Sequence, residues 1–116
     1  MRQIVAKPLA RAYLRYTQDA AELLGQLIRI KRIERRMTTA ELAERAGISR
    51  ALLYRIETGD LACSIGAVFE TAAIVGVPLF TPDETRTAMD IKDLSARLTL
   101  MPKAVRRKEK AVKDDF

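Results

Sequence analysis

The sequence predicts an all-α chain of five helices with an amino-terminal extension and a flexible basic carboxy-terminal tail. Three features point that way. Apolar residues recur at three- and four-residue spacing through most of the chain, which is the period of helices with one buried side. Capping residues mark helix starts at Thr38, Ser49, Ser64 and Thr81, and Gly47, Gly59 and Gly76 mark helix stops. Of 116 residues, 48% are hydrophobic but only 5% aromatic, with no Trp, a balance that suits a small helical core of Leu, Ile and Ala. The length is one domain's worth plus tails. The expected divisions are an extension over 1–17, a domain over 18–80, a carboxy-terminal helix over 81–101 and a tail over 102–116.

Residues 1–18 carry Arg2, Lys7, Arg11 and Arg15 and no acid. This stretch lacks the apolar centre of a secretory signal. Gln3, Ile4 and Val5 allow a short strand, and Leu9, Tyr13 and Tyr16 a helical turn or two after Pro8. The extension reads either as an arm that touches DNA backbone or a partner chain, or as a loose end.

The first helix is predicted over 18–36, with Ala20, Leu23, Leu24, Leu27, Ile28 and Ile33 as its apolar stripe. Arg29, Lys31, Arg32, Arg35 and Arg36 crowd its last turns, where the helix dipole is negative. Thr38 with Glu41 forms a capping box, so a second helix starts at Thr39. Leu42, Ala43 and Ala46 fall on one side of it, and Gly47 stops it in a left-handed conformation that glycine adopts at little steric cost. Ile48 plugs the corner. Ser49 then caps a third helix over 50–58, which Gly59 closes. Leu53 and Ile56 turn to the core, while Arg50, Ala51, Tyr54 and Arg55 point elsewhere.

Ser64 caps a fourth helix over 64–75 with Ile65, Val68, Phe69, Ala72 and Ala73 inward, and Leu79 and Phe80 are expected to cover the open end of the core. Cys63 precedes this helix as a small apolar filler. Thr81 to Glu84 reads as a second capping box with Pro82 at the first helical position. Along the fifth helix Ile91, Leu94, Leu98 and Met101 repeat at spacings of three, four and three, a heptad-like seam. That seam needs a surface, either this chain's own core or a second chain, and a twofold dimer is favoured. After Pro102 the chain is too polar to order itself.

Thr39, Leu42-Ala43, Ala46-Gly47-Ile48-Ser49, Leu53, Ile56-Glu57 and Gly59, at these spacings, resemble the helix-turn-helix of the Cro and phage-repressor class, the XRE family. The resemblance covers about half of the chain. It implies a phage-repressor-like DNA-binding domain whose third helix reads bases through Arg50, Ala51, Tyr54 and Arg55. It further implies phosphate contacts from Thr38, Thr39, Ser49, Thr58, Arg29 and Lys31, and a salt bridge between Arg32 and Glu57 that ties the first helix to the third. Ala51 stands where relatives often carry a longer amide, and Thr39 where a glutamine is frequent. Gly59-Asp60, Met101-Pro102 with Val105-Arg106, and the ending Asp114-Asp115-Phe116 resemble antitoxin repressors of the HipB type, encoded beside HipA-type kinase toxins.

A formal net charge of +6 and a pI near 9.8 favour polyanionic partners. With no His and the single Cys63, the chain offers no His-based catalysis, no Cys/His zinc cluster and no intrachain disulfide. No cofactor, metal or membrane span is expected, and the chain is read as a cytoplasmic, nucleoid-associated, non-enzymatic DNA-binding dimer. Its partners would be a palindromic operator, a second copy and a HipA-like kinase toxin. The alternative is an interaction module that holds an acidic protein through the Ile91–Met101 seam and tail.

Overall fold

The computed structural model describes residues 12–107. The expected strand at Gln3 to Val5, the arm around Pro8 and Leu9, and the ending Asp114-Asp115-Phe116 lie outside the described residues. Five helices follow in order: α1 (Arg15–Glu34), α2 (Thr39–Ala46), α3 (Arg50–Glu57), α4 (Ile65–Val75) and α5 (Glu84–Thr99). Among the described residues the one β feature is an isolated bridge between Leu79 and Thr81. Backbone contacts divide the chain into two units, 1–82 and 83–116.

In the first unit, α1 to α4 surround a core of Ile28, Leu42, Ala43, Leu53, Ile56, Ala72, Val75 and Val77. Local chemistry sets each helix end. Thr38 Oγ1 accepts from the Glu41 amide at 3.0 Å while Glu41 Oε1 accepts from the Thr38 amide at 2.8 Å, closing the capping box. Ser49 and Ser64 cap α3 and α4 by accepting from the amides of Leu52 and Ala67. Gly47 ends α2 with φ of +72°, so the chain turns sharply into α3 without a Cβ penalty. Ile48 packs against the core beneath that corner.

The inward side of α1 differs from the predicted stripe. Ala20, Leu23, Leu27 and Ile33 are exposed, and of the six residues named only Leu24 and Ile28 pack on the core. Gly25, Ile28 and Arg32 are the buried residues of the helix. The reason is steric and electrostatic. Gly25 lies so close to α3 that a Cβ there would fall 2.7 Å from the Glu57 carbonyl oxygen, and Arg32 is drawn inward by a carboxylate. Tyr16, Leu23, Leu27 and Ile30 then form an outward apolar row.

Two further placements are corrected. On α4 the core side is Thr71, Ala72 and Val75 with Ala67 and Val68, whereas Ile65 is 68% exposed and Ala73 is exposed. Thr71 can occupy the core because its hydroxyl donates back to the Ala67 and Val68 carbonyls. Leu79 packs on the core, but Phe80, at φ of +68°, turns out to 95% exposure and meets Phe69 edge to face.

The second unit contains α5. Its N-cap is Asp83, whose side chain accepts from the Thr85 amide at 2.9 Å, so the helix begins three residues after Thr81 rather than with a capping box there. An Asp is as strong a cap as a Thr and sits after Pro82, which cannot donate an amide. No residue of α5 is buried; Ile91, Leu94 and Leu98 are more than half exposed, and Met101 lies just past the helix end.

Candidate nucleic-acid interface

The α2 start and the outer side of α3 bring most of the sequence-predicted site residues together. On α3, Leu53, Ile56 and Glu57 are buried, which rotates Arg50, Ala51, Tyr54 and Arg55 into solvent. Tyr54 is 69% exposed. Thr38 and Thr39 are exposed at the amino end of α2, where the dipole is positive and suits a phosphate.

The inner side of α3 is locked by a buried ion pair. Arg32 Nε donates to Glu57 Oε2 at 2.7 Å and Nη2 to Oε1 at 3.1 Å, while Nη1 donates to the Met37 carbonyl at 3.0 Å. Each residue is 9% exposed. This fork-to-fork geometry satisfies both charges in a place where either one alone would be costly. Its consequence is positional: the pair fixes the roll of α3 against α1, beside the close approach at Gly25.

The outer side carries a second pair, and here the two arginines of the face differ. Arg50 is exposed and meets no acid in any ion pair among the described residues. Arg55 Nε instead donates to Asp60 Oδ2 at 2.7 Å. The cause lies in how α3 ends. Gly59 at φ of +85° lets its amide reach the Ile56 carbonyl and the Asp60 amide reach the Arg55 carbonyl, a Schellman closure that brings residue 60 alongside residue 55. Hydrophobic contact is usual between those positions; an ion pair replaces it here. Hydrogen bonds from the Ala62 amide and from Arg55 hold the Asp60 carboxyl below the usual carboxylate range, and Asp60 in turn raises Arg55.

The phosphate candidates separate in the same way. Thr58 has its hydroxyl proton committed to the Tyr54 and Arg55 carbonyls, so it has no donor left for a phosphate oxygen while those bonds stand. Ser49 Oγ is engaged as the α3 cap but keeps its proton. Arg29 is exposed, and Lys31 is 3.7 Å from Glu34 in a solvent-facing pair. The seam residues Ile91, Leu94, Leu98 and Met101 belong to the other unit.

Two residues of this region escaped the sequence reading. Gly25 carries no side chain for an apolar stripe to count, although a lone glycine inside a helical pattern signals close backbone approach. Asp60 enters the sequence reading only within the Gly59-Asp60 segment, although its place one residue beyond a helix-ending glycine forecasts a neighbour at Arg55. Behind α3, a cleft of about 200 Å³ is lined by Leu24, Gly25, Ile56, Cys63, Ile65 and Val68 among others. Burial there pushes the Cys63 thiol up.

Among the described residues no helix is long and apolar enough to cross a membrane. Neither the curated proteins nor the solved structures hold a match to the chain. A family model described as a helix-turn-helix domain matches residues 23–88, more than half of the chain and all of the region from Leu23 through α4. On that match the chain belongs to the helix-turn-helix domain family.

Proposed function

We propose that the chain is a sequence-specific double-stranded DNA-binding transcriptional regulator that lays α3 in the major groove. The observation that supports this best is the division of α3, whose buried side is pinned by Leu53, Ile56 and the Arg32–Glu57 pair while Arg50, Ala51, Tyr54 and Arg55 face outward. A rigid face with two guanidinium groups suits guanine edges, because the arginine fork matches the O6 and N7 acceptors. Ala51 offers a methyl contact to thymine. Thr38, Thr39, Ser49, Arg29 and Lys31 would set the register on the phosphates. Thr58 joins that set only where its hydroxyl turns away from the Tyr54 and Arg55 carbonyls.

The reading extends to a homodimer on a palindromic operator, since symmetric half-sites are read by twofold dimers. A reason to place the dimer or partner contact on α5 is that none of its residues is buried while Ile91, Leu94, Leu98 and Met101 keep their heptad-like spacing. It further extends to an autorepressor that serves as antitoxin to a HipA-type kinase, on the resemblance of short segments alone. Footprinting on the DNA upstream of its own gene tests the regulator, and co-purification with the product of the neighbouring gene tests the antitoxin. Protection absent from every tested duplex, with no base preference in a selection from randomised DNA, would sink the DNA reading. It would leave the interaction module, which the exposed α5 seam also fits.

A further inference from the structure

We propose that Asp60 is the specificity-determining positioning residue of this face: it grips the Arg55 guanidinium at Nε and leaves the two terminal nitrogens as the pair that meets guanine. The inference rests on the reading of α3 as the groove-facing helix.

The carboxylate is fixed independently of the arginine. The Asp60 amide donates to the Arg55 carbonyl at 2.9 Å, and Asp60 Oδ1 accepts from the Ala62 amide at 2.8 Å. That leaves Oδ2 aimed at Arg55 Nε, 2.7 Å away. Gly59 makes the arrangement possible and is itself confined, since it sits at φ of +85° and a Cβ there would lie 2.9 Å from the Glu22 Cα. A surface arginine otherwise samples many rotamers, and ordering it costs binding free energy. Here that ordering is done before DNA arrives.

The grip also selects a geometry. A guanidinium can offer two parallel donors either from its end, through both terminal nitrogens, or from its side, through Nε and one terminal nitrogen. With Nε given to Asp60, only the end remains. Arg50 has no such partner among the described ion pairs, so of the two arginines it is the adaptable one and Arg55 the selective one. Hydrogen bonds hold Asp60 ionised through the neutral range. A carboxylate beside phosphates repels them, which separates this role from a bland one. If Asp60 were only a surface charge, removing it would strengthen binding to every sequence alike.

The test uses the full-length chain and a randomised double-stranded DNA library, followed by the selected duplex with single base-pair exchanges. Arg55→Ala is expected to lose roughly tenfold or more of the preference at one G·C pair per half-site. Asp60→Ala should lose most of that same preference while binding non-selected duplexes as tightly as the wild type or more so. Asp60→Asn keeps an acceptor oxygen and should retain part of it, and the double variant should discriminate no worse than Arg55→Ala. Uniformly tighter binding by Asp60→Ala with the Arg55-dependent preference intact would overturn the proposal and leave the groove reading standing. If Arg55→Ala itself changes no preference, the assignment of Arg55 to base edges fails, and the role of Asp60 fails with it.

Discussion

Helix α3 carries an arginine–carboxylate pair on each of its two sides. Inward, Glu57 meets Arg32 in a forked contact with both side chains about one-tenth exposed or less. Outward, Arg55 meets Asp60 through a single nitrogen, with 46% and 36% of their side chains exposed. The chemistry is the same and the distances are both 2.7 Å, yet the surroundings divide the roles. Low dielectric makes the inner pair expensive to break from one side, so it acts on the fold. Water screens the outer pair, so it adds little to stability and acts through where it holds a donor.

The largest effect should come from the inner pair. Glu57→Ala leaves Arg32 buried and unpaired, and should cost about 3–5 kcal/mol. In a domain of this size that lowers the melting temperature by about 12 °C or more, and an unchanged thermal scan would mean the pair does not hold α3. Next, Gly25→Ala forces a methyl against the α3 backbone, which cannot rotate away as a side chain can; a loss of roughly 1–3 kcal/mol is expected in denaturant unfolding. Arg50→Ala should leave the melting curve in place and weaken binding to a selected duplex by about 1–3 kcal/mol. If its stability falls instead, the outer side of α3 is doing structural work and the contrast between the two sides collapses.

The smallest effect concerns pH. Asp60 is depressed, so its contribution is present above its unfolded pKa and is lost only as pH falls through the lower folded value. Arg55 is raised, so its contribution is present below its unfolded pKa and is lost only as pH rises through the higher folded value. The window in which both are charged thus spans about pH 4 to 12. Base discrimination measured between about pH 5 and 9 should therefore be flat; a step near neutrality would point to a different group.

Where local chemistry decides, the sequence was legible. Thr38 with Glu41, Gly47, Ser49 and Ser64 each act on their nearest backbone groups, and their roles need no tertiary information. The face of α1 was not legible in the same way. That helix has two apolar sides, and the one richer in Leu and Ile, from Leu23 to Ile33, is the outer one. Its core side runs through Gly25, which hydropathy ranks as unfit for burial, and through Arg32, whose pairing with Glu57 came from the family resemblance and not from the apolar pattern. Only the approach of α3 and the presence of Glu57 make them fit. The solvent-facing side of α3 could be placed from Leu53 and Ile56 alone, but the restraint on Arg55 depends on a loop carboxylate brought round by Gly59. Ile65 and Phe80 were misplaced because a large apolar residue at a segment end follows the local path of the chain rather than the helical period.

Cys63 is the chain's single sulfhydryl, half shielded in the cleft behind α3 and kept protonated by its surroundings. An alkylating reagent in excess should therefore find it more slowly than an unshielded cysteine, because burial disfavours the thiolate and the cleft covers part of the sulfur. The rate of that one reaction, read with and without DNA, becomes a gauge of how far the cover over this cleft changes on binding.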